Sequence, residues 1–96
     1  MLFMVIETFA EGKTAEIYAR LADRGRMLPA GVVYIDSWVA AGRSRCFQLM
    51  EAPEERLIRK WSRNWDDLAA FEIIPVIPSR EMQARHAASN GGRVRD

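Results

Sequence analysis

Apolar residues follow two different spacings along the chain, and the change of spacing marks out its secondary structure. Runs rich in β-branched and aromatic residues predict β-strands at 2–9, 32–39, 43–51 and 71–77. Apolar residues three or four positions apart predict one helix over 14–24 and another that begins at Pro53 and ends near Asn64. The pattern therefore predicts the element order β-α-β-β-α-β.

Capping and turn residues define where these elements end. Thr14 is the predicted N-cap of the first helix, and Gly25 follows its last residue. The stretch 40–42 predicts a short hairpin loop in which Gly42 takes the left-handed conformation. Pro75 has no N–H for a hydrogen-bond ladder, so the last strand is expected at an edge of the sheet.

This order of elements is the ferredoxin-like α+β arrangement, βαββαβ, with a four-stranded antiparallel sheet and two helices on one face. We expect residues 1–79 to form this domain. Residues 80–96 are expected outside it: a short helix over 79–88 precedes a disordered tail over 89–96, which contains Asn90-Gly91-Gly92.

Strand alternation gives the sheet two faces if the hairpin closes between Val39 and Arg43. The face expected to receive the helices is uniformly apolar and contains Met4, Ile6, Val33, Ile35, Phe47 and Leu49. The opposite face mixes apolar and polar residues, namely Phe3, Val5, Glu7, Phe9, Val32, Tyr34, Asp36, Trp38, Ser44, Cys46, Gln48 and Met50. This mixed face is too apolar for water and too polar for a dry core. It predicts a homodimer through the open sheet face, or a small-molecule cavity.

Composition narrows the possible partners. A net charge of +1 with interspersed acids and bases provides no field for nucleic acid or an anionic membrane, so neither is expected as a partner. No apolar run approaches the ~20 residues that span a bilayer, and residues 1–6 lack the length and basic flank of a signal peptide. Cys46 has no cysteine to pair with, which is typical of a cytoplasmic protein.

Several stretches of the sequence resemble an uncharacterised bacterial family, domain of unknown function 3303 (DUF3303): 1–7, 33–39, 45–51, Trp65 and 71–76. The resemblance covers residues 1–79. It implies a dimeric α/β barrel, in which two ferredoxin-like sheets pack together across a two-fold axis. The wider superfamily includes cofactor-free monooxygenases, haem-degrading enzymes, lactone isomerases and proteins without known activity, so the resemblance implies no particular reaction.

Glu7 and Asp36 are the candidate catalytic residues. If both lie in one enclosed cavity, burial and mutual repulsion raise at least one pKa, which creates a general base near neutral pH. The candidate ligand-binding residues are Phe3, Tyr34, Trp38, Cys46 and Gln48. Among these, Tyr34 and Gln48 are expected to bind a substrate oxygen, and the aromatic rings to pack against the ligand. In the competing interpretation, Arg45 or an arginine of a second copy neutralises the acids and fixes the dimer register.

No recognised motif for metal binding, phosphate binding or nucleophilic catalysis occurs in the chain, so no metal and no cofactor are expected. Cys46 is interpreted as a small buried residue rather than a nucleophile, and His86 as a solvated residue of the tail. Three functions remain open. They are a structural dimer, a protein that binds a small apolar or aromatic molecule, and a cofactor-independent monooxygenase or isomerase with a carboxylate base.

Overall fold

The computed structural model of the protein describes residues 1–89. Its elements are β1 (Leu2–Phe9), α1 (Thr14–Arg24), β2 (Val33–Val39), β3 (Arg45–Glu51), α2 (Glu55–Ser62), β4 (Ala69–Val76) and α3 (Ser79–Ser89). The predicted order is confirmed, with α3 following it. Ser89 ends α3, and the rest of the segment predicted to be disordered lies outside the described residues.

The strands form one antiparallel sheet in the order β2-β3-β1-β4, which is the ferredoxin-like order and confirms the α+β class. β4 is an edge strand that pairs with β1, as the proline predicted. Pro75 lies opposite Phe3 in this pairing. No helix within residues 1–89 has both the length and the apolar composition needed to cross a bilayer.

The ends of the helices lie close to their predicted positions. Lys13 is the N-cap of α1 and makes no side-chain capping hydrogen bond, so Thr14 is the first helical residue rather than the cap. Gly25 ends α1 with a φ of 64° and donates its N–H to the Leu21 carbonyl at 2.8 Å. α2 ends at Ser62 and continues as turns over 63–68, where a break was predicted.

The helices cover the opposite face of the sheet from the one predicted. Phe3, Val5 and Glu7 are at most 5 % exposed and lie on the helix side, whereas Met4 and Ile6 lie on the open side. The prediction was wrong because it gave the helices the more uniformly apolar face. A helix-covered face tolerates polar side chains when a cavity lies against it.

The β2–β3 hairpin also departs from the predicted register. Its loop covers residues 40–44, and Arg43 rather than Gly42 takes the left-handed conformation, with a φ of 62°. The pairing then shifts between Tyr34 and Asp36, where a bulge leaves Ile35 unpaired.

This bulge separates residues that simple alternation places together. Tyr34 pairs with Met50 on the helix side, whereas Asp36 pairs with Leu49 and faces away from the helices. Trp38 follows Asp36 onto the open face and is 52 % exposed. A single inserted residue therefore reverses the side of every later side chain in β2.

The hydrophobic core lies between the sheet and the helices. Its largest fully buried side chains are Trp61, Phe3, Met50, Ile58 and Val5. The ring of Trp61 packs edge-on against Phe71, with ring centroids 5.5 Å apart. This contact joins α2 to β4.

An arginine fixes α1 over the sheet. Both terminal nitrogens of Arg20 donate to the Asp67 carboxylate at 2.8 Å, and one also donates to the Asn64 carbonyl. The hydrogen bond from Arg20 lowers the pKa of Asp67 below its usual value. The pair joins α1 to the turn after α2, and α1 forms one wall of a cavity against the sheet.

Candidate functional site

A cavity of about 110 Å³ lies between α1 and the helix side of the sheet, and we call it the Glu7 cavity. Its apolar wall consists of Phe9, Ile17, Tyr18, Leu21, Val39 and Trp65. Its polar lining consists of Glu7, Arg26, Ser37, Cys46 and Gln48. A mostly apolar space with a few convergent polar groups is the usual composition of a small-molecule site.

The strand register explains how the polar groups come together. Glu7 of β1 lies opposite Cys46 of β3, and Gln48 lies two residues farther along β3 on the same face. Ser37 of β2 lies opposite Gln48 on the other side. Facing side chains in such a ladder have Cβ atoms about 5 Å apart, and diagonal ones about 7 Å. The polar lining is therefore a contiguous patch across β1, β3 and β2.

Glu7 and Gln48 are buried without partners. Their exposures are 5 % and 6 %, yet neither side chain forms a hydrogen bond or ion pair with another residue in the described range 1–89. In that range, every side-chain polar atom that is wholly shielded from solvent has a hydrogen-bond partner. The polar ends of Glu7 and Gln48 must therefore reach the open space of the cavity.

Burial controls the protonation of this site. Removal from water raises the pKa of Glu7 from 4.5 to about 7, so both forms of the carboxyl are present at neutral pH. Burial also raises the pKa of the Cys46 thiol, and the Glu7 charge raises it further, against smaller opposing effects of Arg26 and Ser37. The thiol therefore stays protonated near neutral pH, which agrees with a packing role for Cys46.

Arg26 reaches the cavity from the loop between α1 and β2. Its main-chain carbonyl accepts hydrogen bonds from the indole N–H of Trp61 at 2.7 Å and of Trp65 at 3.3 Å. The next residue, Met27, has a φ of 58°, and its carbonyl accepts a hydrogen bond from the Asn64 amide at 3.2 Å. The turn after α2 thus fixes the loop in a conformation that non-glycine residues rarely adopt.

The side chain of Arg26 lies over an aromatic ring. Its guanidinium carbon is 3.7 Å from the centroid of the Tyr34 ring. The Tyr34 hydroxyl in turn lies 2.5 Å from Ser37 Oγ in a hydrogen bond. These contacts join the loop to the polar patch of the sheet.

The structure brings together only part of the predicted site. Glu7, Cys46 and Gln48 line the Glu7 cavity. Phe3 is fully buried in the core next to it, and Tyr34 packs against the core beneath Arg26.

The other two predicted site residues lie elsewhere. Asp36 is exposed on the open face, where its carboxylate accepts a hydrogen bond from the Ser37 main-chain N–H at 2.8 Å, and Trp38 is on that face too. Glu7 and Asp36 therefore do not share a cavity, because the β2 bulge places Asp36 on the other side of the sheet.

Sequence reasoning missed Arg26 as a cavity residue. It counted only as one of the interspersed bases of the chain. The available signal was its position directly after Gly25, where a chain leaving a helix turns back over the sheet. Its placement depends on the indoles of α2 and the following turn, which lie far away in the sequence.

A second, larger space of about 480 Å³ lies between α3 and the ends of the strands. It is an open groove whose charged lining residues are exposed, and Glu81 is already paired with Arg85 at 2.6 Å. No group of three or more metal-ligating side chains occurs within residues 1–89. The Glu7 cavity is therefore the candidate site, because it alone of these two spaces has buried polar groups without partners.

Fold and site together define a ferredoxin-like α+β domain with a small, mostly apolar cavity that a few polar groups line between its sheet and its helices. The chain belongs to the family described as Domain of unknown function (DUF3303), whose model matches residues 1–90. No curated protein and no solved structure matches the chain.

Proposed function

We propose that the protein is a homodimer that binds a small molecule in the Glu7 cavity. The observation that carries this proposal is the pair of buried side chains, Glu7 and Gln48, whose hydrogen-bonding groups have no partner in the described chain. A polar group that is shielded from water without a hydrogen bond costs about 1–3 kcal/mol, so the ends of Glu7 and Gln48 need water or a ligand in the cavity. A ligand with a polar head and an apolar body supplies the missing hydrogen bonds and fills the apolar wall.

The volume of the cavity limits the ligand. Sites for drug-sized molecules measure about 300–1,000 Å³, well above the 110 Å³ found in this protein. An engineered apolar cavity of about 150 Å³ holds benzene. The part of an apolar body that the Glu7 cavity holds is therefore about the size of a single ring or a short branched hydrocarbon group.

Isoamyl alcohol is a suitable first probe, because it combines a branched apolar body with one hydroxyl group. Amide NMR spectra of the labelled protein should shift on titration, with the largest changes at Glu7, Cys46 and Gln48. A variant with a filled cavity, Ile17→Phe, should keep the folded spectrum and lose these shifts. Absence of shifts in the wild type, or equal shifts in the filled variant, contradicts binding in this cavity and favours a purely structural domain.

The open face of the sheet is the proposed dimer interface. Its residues are Met4, Ile6, Val33, Trp38, Phe47, Leu49 and Ile74. Val33 and Trp38 expose more than half of their surface, at 55 % and 52 %. A continuous apolar surface of this kind is rarely left in contact with water.

A second copy of the chain is the occupant that the charges of this face favour. Arg45 lies on the open face over the ring of Phe47, while Asp36 and Glu72 are acids of the same face. A surface with both signs of charge can pair with an identical surface rotated about a two-fold axis. The homodimer that results buries the apolar residues of both sheets.

Catalysis by Glu7 is the second candidate function, favoured by its pKa of about 7. A general base works best when its pKa lies near the working pH, and this contributes about a hundredfold or more to proton abstraction. The test is exchange of the carbon-bound hydrogens of methyl isopropyl ketone for deuterium in heavy water. Exchange above the buffer rate that disappears in Glu7→Gln supports catalysis, and equal rates for both proteins contradict it.

A further inference from the structure

The end of the Glu7 cavity that Arg26 lines has unmet hydrogen-bonding capacity of its own. Arg26 is half-buried, and its side chain makes no hydrogen bond or ion pair within residues 1–89. Other arginines of the helices have acidic partners, such as Asp67 for Arg20 and Glu55 for Arg59. Among the described residues, it is the contact with Tyr34 that holds the Arg26 guanidinium in place.

The stacking geometry determines which atoms of Arg26 remain available. A guanidinium over an aromatic ring uses its flat face for the contact. Its N–H donors point outward in the plane of the group, in the fork that matches the two oxygens of a carboxylate. Arg26 lines the cavity, and its charge acts to lower the pKa of the Cys46 thiol in the same lining, so the guanidinium lies close to the space that a ligand enters.

The backbone beneath Arg26 is fixed before any ligand arrives. Two indole N–H groups hold its carbonyl, and the next residue, Met27, has a left-handed φ of 58°. Such strain persists only where the surroundings impose it, and it is often found at ligand-binding positions. A carboxylate meeting Arg26 would therefore lose little free energy to ordering the protein.

We infer that the Glu7 cavity takes a small monocarboxylate, with its carboxylate on the Arg26 guanidinium and its apolar body against Ile17 and Leu21. This inference rests on the proposed function and names its ligand class. Two further observations favour an organic acid over a bare anion. The wall of the cavity is mostly apolar, and the Arg26 guanidinium is the single cation among the residues that line it.

The inference is tested by calorimetric titration with ligands of one shape and different heads: isovalerate, isoamyl alcohol and isoamylammonium, with inorganic phosphate as the bare anion. Isovalerate should bind the wild type about tenfold or more tighter than the alcohol, because a hydrogen bond to a charged group is worth more than a neutral one. The ammonium compound and phosphate should bind weakest.

Two variants locate the effect at the guanidinium. Arg26→Gln should remove the preference for isovalerate over the alcohol, and Arg26→Lys should keep only part of it, because lysine lacks the planar fork. Arg24→Gln is the matched control, since Arg24 lies two residues earlier, is exposed and does not line the cavity. The Arg24→Gln variant should prefer isovalerate over isoamyl alcohol as strongly as the wild type does. Amide NMR spectra check that each variant is folded.

The outcomes separate the two proposals. Equal binding of isovalerate and isoamyl alcohol overturns the carboxylate inference and leaves the binding function standing. Binding of neither compound overturns both. Phosphate that binds as tightly as isovalerate, or a preference that survives in Arg26→Gln, also overturns the inference.

Discussion

The indole N–H of Trp61 donates a 2.7 Å hydrogen bond to the main-chain carbonyl of Arg26, so α2 fixes the loop that reaches the Glu7 cavity. The Trp61 ring is 1 % exposed and packs in the core, and this one side chain therefore serves both stability and the site. Trp65 donates to the same carbonyl over 3.3 Å, which is a longer and weaker contact. The two tryptophans can be compared directly.

Trp61→Phe should destabilise the protein by about 2–4 kcal/mol, because it leaves a cavity in the core and removes the shorter hydrogen bond to Arg26. It should also weaken isovalerate binding, since the loop is no longer held. Trp65→Phe removes the longer hydrogen bond and should destabilise the protein less, but its ring is part of the cavity wall, so its effect on binding includes the loss of that contact. Urea unfolding and calorimetry measure the two effects. Equal losses of stability in both variants would show that the shorter hydrogen bond to Arg26 has no special role.

The raised pKa of Glu7 predicts a stability that depends on pH. The folded protein binds this proton more tightly than the unfolded chain, so stability falls as the pH rises from 4.5 to about 7 and levels off above that. A pKa shift of this size adds about 3 kcal/mol to the free energy of unfolding at low pH, where Glu7 is protonated in both states.

Glu7→Gln isolates this effect, because the amide does not titrate. Urea unfolding of the variant should lack the fall between about pH 5 and pH 7 that the wild type shows. The stabilising effect of the Arg20–Asp67 pair is lost only at lower pH, since the pKa of Asp67 is lowered, and it is present in both proteins. If the free energies of unfolding of the wild type and Glu7→Gln change in parallel between about pH 5 and pH 7, the burial of an unpaired Glu7 is contradicted.

Ligand binding should depend on the same carboxyl. Isovalerate stays ionised above about pH 6, so an ionised Glu7 repels it, and its affinity should fall as the pH rises through about 7. The other ionisable groups lining the cavity are Cys46, Tyr18 and Arg26, and β4 places the uncharged Phe71 opposite Glu7. Calorimetry in Glu7→Gln should give an affinity that is flat over this range. If the affinity of Glu7→Gln for isovalerate also falls over this range, a group other than Glu7 causes the pH dependence.

The proposed dimer interface is tested by adding a charge to the open face. Trp38→Glu should convert the dimer to a monomer at micromolar concentration, because two charges would be buried where two indoles packed. Met82→Glu is the control, since Met82 is equally exposed, at 52 %, but lies on α3. Light scattering should give twice the mass of the chain for the wild type and the control. A monomeric wild type contradicts the proposed homodimer.

The fold could be predicted from the sequence because its signals are local. The apolar spacing of each element, the helix end at Gly25 and the edge position required by Pro75 all depend on neighbouring residues. The side of the sheet that the helices cover is not a local property. Both faces of β1 are apolar enough to be buried, and Glu7 indicated the wrong face because a polar residue is expected away from a helix-covered core.

The candidate site was predicted only where it lies on β1 and β3. Glu7, Cys46 and Gln48 alternate regularly, so their common face follows from strand geometry. Asp36 was misplaced because the bulge at Ile35 has no clear sequence signal, and a shift of one residue reverses the face. Arg26 was missed because tertiary hydrogen bonds, rather than its own neighbours, bring it to the cavity.

An NMR titration of the carboxyl carbon of Glu7 tests the binding site most directly. Isotope-labelled glutamate gives the signal, and its absence in Glu7→Gln assigns it. The titration should have its midpoint at about pH 7 in the free protein, and the midpoint should move upward when isovalerate is bound. A midpoint near the ordinary value of about 4.5, or one that isovalerate leaves unchanged, would contradict a ligand site built around a buried and unpaired Glu7.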